Sequence, residues 1–168
     1  MNFYETKKII KIIRIGAFII IALFVLTSHI NKNEGGNEET NLSFSKEALI
    51  EEIKYQKFKY PDLILAQAIL ESGNFTSVIF KKNNNLFGMR QPKKRYTLCN
   101  GSNLNYALYD NWKLSVEDRM IYDTLYLKNM NRNQYLKFLG NVYCKHGDYA
   151  GKLENIIKKN YLKEVFTE

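Results

Sequence analysis

Apolar positions along the chain fall into three successive regimes. The run Ile15 to Leu26 carries no polar side chain at all. The stretch 31–42 is polar, with Gly35-Gly36 at its centre, and reads as a flexible linker. From Ser43 onward, apolar residues return at intervals that specify local structure. Leu49, Ile50, Ile53 and Phe58 recur at helical spacing and predict a helix over 46–58. Pro61 suits the first turn of a second helix and Gly73 suits its end, which predicts a helix over 61–72. A short third helix is expected over 76–82, followed by turn material at Asn83-Asn84-Asn85. Residues 95–99 and 104–109 read as two short strands joined by a hairpin turn at Asn100 to Asn103. Ser115 with Asp118 reads as a capping box opening a helix that reaches about Leu127. Two more helices are expected over 133–144 and 149–161. The order helices, hairpin, helices predicts an α+β fold, predominantly α, with a small β-hairpin lobe.

Length adds that one modest domain with an appendage fits 168 residues. Residues 1–30 are expected to form a signal peptide or signal anchor, 31–42 the linker, and 43–168 the folded domain. Lys7, Lys8, Lys11 and Arg14 precede or enter the apolar run, opposed only by Glu5. That asymmetry predicts a cytoplasmic N-terminus and an exported domain in the cell envelope. Leu26-Thr27-Ser28-His29 is a poor cleavage site, which favours a membrane contact through an uncleaved N-terminal helix over secretion.

The formal charge is +8, and from residue 31 onward basic residues outnumber acidic ones by five. Such a balance suits nucleic acid, anionic lipid or an anionic wall polymer. No nucleic-acid motif is present and the exported topology opposes one, so no nucleic-acid partner is expected. Cys99 and Cys144 lack zinc-ligand spacing, and a single disulfide between them is open. No metal, nucleotide or flavin motif occurs, so no cofactor is expected.

Candidate chemistry concentrates in Leu65-Ala66-Gln67-Ala68-Ile69-Leu70-Glu71-Ser72-Gly73. Glu71 follows an almost wholly apolar turn at the end of its helix. Lost hydration and the helix C-terminus both raise a carboxyl pKa there, as a general acid needs. Gln67 lies one turn back on the same face and is placed to steady it. Asn84-Asn85-Leu86-Phe87-Gly88 offers amides and a ring of the kind that binds sugar hydroxyls and sugar faces.

The two stretches, in this order and spacing, resemble the bacterial peptidoglycan N-acetylglucosaminidase family of autolysins and flagellar wall-cutting enzymes. Tyr106-Ala107-Leu108-Tyr109-Asp110-Asn111-Trp112 is similar to the family's strand leading into its next helix, and Tyr143 to Leu153 to its Tyr-Ala-x-Asp-Pro-x-Tyr-x-x-Lys-Leu ending. The resemblance covers about residues 47–162. It implies a lysozyme-like fold with a glycan cleft between a helical and a β lobe, and peptidoglycan glycan strands as partner. It places the catalytic acid on Glu71 and the cleft tyrosine on Tyr143. Gln67, Asn85, Phe87, Tyr106 and Asp110 are the expected substrate-binding positions. The implied cut is the β-1,4 bond on the reducing side of N-acetylglucosamine.

Two departures shape the expected mechanism. Residues 72–109 contain no Asp or Glu, so the β lobe offers no second carboxylate. The substrate's 2-acetamido group, oriented by Tyr143, is then expected to assist, with water attack guided by Tyr143 and an Asn amide as the alternative. The family's Asp-Pro pair is replaced by His146-Gly147. A catalytically weak peptidoglycan-binding module and a lytic transglycosylase are the competing functions.

Overall fold

The computed structural model describes residues 43–143 and 147–167. The apolar N-terminal run and the linker lie outside these residues, as do Cys144 and His146, and with them the question of a Cys99–Cys144 disulfide. No helix among the described residues is long and apolar enough to cross a membrane.

Six helices and one hairpin make up the described chain. Helix α1 spans Lys46–Gln56, α2 Pro61–Glu71 and α3 Val78–Asn83. Strands β1 (Gly101–Asn103) and β2 (Tyr106–Leu108) pair antiparallel. Helix α4 spans Trp112–Tyr126, α5 Arg132–Tyr143 and α6 Tyr149–Lys159, followed by a 3₁₀ turn at Glu164–Phe166. The architecture is predominantly helical with a small two-stranded sheet, as the residue pattern predicts.

Helix α2 is the axis of the helical lobe. Leu63, Ile64, Leu65, Ala66, Gln67 and Ala68 are all fully buried. Such a helix has no solvent face and must be enclosed by neighbours. α1 and α6 pack on it, α4 packs on α1, and α5 packs on α6. Asp62 at its first turn takes a bidentate ion pair from Arg132 of α5, at 2.7 and 3.0 Å. Arg132 also reaches Glu154 of α6 at 3.2 Å, so one guanidinium holds three helices together.

Local chemistry sets the helix ends. Ser45, Ser77 and Asn111 accept the Ala48, Phe80 and Leu114 amides and start α1, α3 and α4. The capping box expected at Ser115 is not there. Ser115 lies one turn inside α4, where its hydroxyl donates to the Trp112 carbonyl and accepts the Leu86 amide. Asn111 has the free extended backbone that a cap requires; Ser115 does not. A reciprocal cap occurs instead at α5, where Asn131 and Gln134 accept each other's backbone amides.

The hairpin also differs from the expected register. Gly101 to Asn103 form β1 rather than the turn, and the turn is Leu104-Asn105. Both turn residues have positive φ, +53° and +64°, as tight two-residue hairpins require. Arg95 to Cys99 does not pair as a strand, because the side chain of Asp118 occupies it. Asp118 accepts both Arg95 guanidinium nitrogens and the Leu98 amide.

Candidate active site

Glu71 is the last residue of α2 and faces a cleft of about 520 Å³ between the helical lobe and the hairpin. Ser77, which caps α3, Ile79 from α3, Gly88 to Arg90 from the following loop, and Tyr106 from β2 form one wall. Tyr122 of α4 with Val142 and Tyr143 of α5 form the other. Among the described residues Glu71 is the sole carboxylate in that lining.

The chain reverses sharply just after Glu71. Gly73, Asn74 and Phe75 all have positive φ. That conformation is easy for Gly and Asn and rare for a Phe. Two contacts hold Phe75 in it. Its amide donates to the buried Ser72 hydroxyl at 2.8 Å, and its ring packs on Phe44 at 4.9 Å and Phe80 at 6.3 Å. The strain is thus met by an aromatic cluster one turn from the carboxylate.

Burial pushes the Glu71 carboxyl above its ordinary pKa; a hydrogen bond from Tyr149 and the nearby Lys152 charge pull it down, but burial prevails. A chain of contacts sets its orientation. The Tyr149 hydroxyl donates to Glu71 Oε1 at 2.6 Å and accepts from Gln67 Nε2 at 3.2 Å. Gln67 Oε1 accepts Arg119 Nε and Nη2 at 3.2 and 3.1 Å. Arg119 is fully buried, pairs with Asp123, and donates to the Tyr135 hydroxyl at 2.7 Å. Burial and the Glu71 charge hold the Tyr149 phenol well above its usual range, so it stays a donor. The other carboxylate oxygen faces Gly88. A Cβ at that position would stand 3.5 Å from Glu71 Oε2, and Gly88 has φ +60°. Glycine there leaves the carboxylate open to the cleft.

The expected site residues separate into two groups. Glu71, Tyr106 and Tyr143 come together on the cleft. Tyr143 stacks on Tyr149 with ring centroids 5.4 Å apart, and burial raises its phenol to about 12. Gln67, Asn85 and Phe87 lie beneath the surface and do not line it. Gln67 is consumed by Tyr149 and Arg119. Asn85 donates to the Met89 and Ala107 carbonyls, both at 2.9 Å, and accepts the Phe87 and Met89 amides. Phe87 is fully buried under Arg119. Asp110 is exposed at the hairpin's end, accepts from Asn100, and does not line the cleft. Side chains that look suited to sugars are here spent on shaping the loop that faces Glu71.

Asn83 and Asn84, read as turn material, have the same kind of role. Asn83 donates to the Asn103 carbonyl at 2.7 Å and accepts from the Asn103 amide group at 2.8 Å. Asn84 donates to the Tyr109 and Asp110 carbonyls. Three successive asparagines therefore tie the hairpin to the helical lobe. Tyr149 and Gly88, which stand against the two carboxylate oxygens, were not among the expected site residues although both lie in the motifs. The signal for Tyr149 was its position six residues after Tyr143 in the ending motif.

A cleft between a helical lobe and a small hairpin, lined by one carboxylate of raised pKa, has the form of a site for an extended substrate and acid chemistry, and the chain's family gives the class as a glycoside hydrolase. The family described as mannosyl-glycoprotein endo-beta-N-acetylglucosaminidase, the glucosaminidase family, matches residues 45–162, and the chain belongs to it. The catalytic domain of the autolysin Auto from Listeria monocytogenes has the same fold. It aligns at 22% identity with a TM-score of 0.52, covering 83% of this chain and 94% of that one. No curated protein sequence matches the chain.

Proposed function

We propose that this glucosaminidase-family chain is a lysozyme-like peptidoglycan hydrolase in which Glu71 is the general acid. It cuts the β-1,4 bond on the reducing side of N-acetylglucosamine. The observation that carries the reading is the lone, half-buried Glu71 in the cleft, its pKa raised and its orientation fixed by Tyr149. Glu71 protonates the glycosidic oxygen as the bond breaks. Among the described residues no second carboxylate lines the cleft, so the substrate's own acetamido oxygen stabilises the cation, with Tyr143 orienting that group. Tyr106 and Tyr143 give the sugar ring aromatic surface on opposite walls.

Mass spectrometry of peptidoglycan digested with the full chain tests the bond assignment. New reducing N-acetylglucosamine ends are expected; 1,6-anhydro muramic ends would reassign the chain to the lytic transglycosylases. The configuration of the first-formed product tests the route. Retention is expected, and net inversion would eliminate acetamido participation.

Tyr149→Phe tests the electrostatics. Losing the phenol removes a hydrogen bond that lowers the Glu71 pKa, so that pKa rises further. The basic limb of the kcat/KM profile is therefore expected to move to higher pH, since the acid form persists longer. A basic limb that stays in place would show that Tyr149 does not govern Glu71's protonation.

The apolar run 15–26 is part of the same reading. It anchors the enzyme in the cytoplasmic membrane with the catalytic domain outside, where its polymer lies. Protease added to intact cells is expected to remove the domain while leaving a short membrane-bound fragment. Protection of the domain would reverse the topology.

A further inference from the structure

The cleft does not end at Tyr122. A second hollow begins there and shares Pro92, Arg95 and Tyr122 with the first. It continues over Lys93 and Lys94 to Tyr126 and Phe138. Its floor is aromatic: Tyr122 and Tyr126 stand 4.9 Å apart, and Tyr122 and Phe138 stand 6.5 Å apart. Its rim is cationic. Lys93 and Lys94 are exposed, and the lining includes no carboxylate. Arg95 is not part of the free charge, because its guanidinium forks onto Asp118 at 2.7 and 2.8 Å and lies over the Tyr122 ring. That buried pair pins the basic loop beside the cleft, which leaves the two lysines facing outward.

We propose that this shelf binds the carboxylate-bearing peptide stem of muramic acid, next to the sugar held over Glu71. The inference rests on the peptidoglycan reading above. In a stem-bearing strand the lactyl carboxyl is tied up as an amide, so the sugars are neutral and the negative charge lies on the peptides. Two uncompensated ammonium groups over an aromatic floor match a short acidic peptide: carboxylates meet the lysines, and aliphatic side chains and peptide planes cover the rings. A neutral glycan continuation would gain no charge pairing from Lys93 and Lys94.

The test uses the full chain and its K93A/K94A variant on two polymers freed of phosphate-bearing chains. One is peptidoglycan with intact stems; the other is the same glycan stripped of stems by an amidase. The unmodified chain is expected to cut stem-bearing strands with the higher kcat/KM. The variant is expected to lose roughly threefold to tenfold on them, as exposed charge pairs allow, and to change little on stripped strands. The loss should shrink at high salt. Preference unchanged in the variant would overturn the proposal. Equal losses on both polymers would also overturn it, because the lysines would then serve something the two polymers share rather than the stem. Co-sedimentation with the same two polymers separates this failure from failure of the hydrolase reading. A chain that cuts neither polymer but binds the stem-bearing one through Lys93 and Lys94 keeps the shelf and loses the enzyme.

Discussion

Glu71→Gln is expected to lower glycan cleavage by about 10²–10⁴-fold, the usual contribution of a positioned general acid, while strand binding persists. The substitution is nearly isosteric. Its carbonyl oxygen still accepts from Tyr149, so the cleft keeps its shape and the lost function is proton donation. Its effect on stability has the opposite sign. A carboxyl whose pKa is raised on folding contributes stability that is full below its unfolded pKa and is lost as pH rises through the folded value. Above that folded value the ionised Glu71 therefore costs the fold something, because burial opposes its charge. The Gln variant should gain in melting temperature over the unmodified chain at alkaline pH, where the carboxyl is ionised, and the two should converge at acidic pH. Thermal melts at the two pH values, with released reducing ends, check both halves. Retained cleavage in the variant would remove Glu71 from the mechanism.

Arg119→Met is expected to destabilise the domain by about 3–5 kcal/mol, the range for removing one partner of a buried ion pair. Arg119 has no solvent exposure, and its guanidinium serves Asp123, Tyr135 and Gln67 together. Methionine fills much of the volume but leaves Asp123 buried without a counter-charge. Further substitution of Asp123 by Leu should recover a large part of the loss, since an apolar pair leaves no buried charge stranded. Urea melts of the single and double variants measure this. A single variant within about 1 kcal/mol of the parent would show that the pair is not needed.

The same arginine matters for the carboxylate 71 through two intermediates. Gln67 is oriented by Arg119, and Tyr149 is held between Gln67 and Glu71. The cleft carboxylate is thus attached to a buried polar network that spans α2, α4, α5 and α6. An acid on such a support keeps one geometry without needing a partner carboxylate in the hairpin lobe.

Helix positions and the place of Glu71 were legible in the sequence because they depend on local rules. An apolar helix between a proline and a glycine ends where its backbone must end, and that fixes which residue stands at its last turn. The helical runs around Leu49, Leu65 and Leu153 likewise announce their own periodicity. The hairpin register was not legible, because Leu104 gives no sign of adopting positive φ; only the pairing of Gly101 with Leu108 selects that turn. Ser115 and Asp118 resembled a cap, yet Asn111 starts the helix, and Asp118 is taken by Arg95 and Tyr109 from other parts of the chain. The largest change of meaning falls on the asparagines and Gln67. In sequence an amide is equally suited to a sugar or to a backbone carbonyl, and the choice is made by where the chain buries it. The sequence alone determined the place of Glu71 at the end of its helix and the helical class of the fold. Tertiary structure decided which side chains reach the cleft, because burial turned the candidate ligand amides into scaffold and brought Tyr149, distant in sequence, to within 2.6 Å of Glu71.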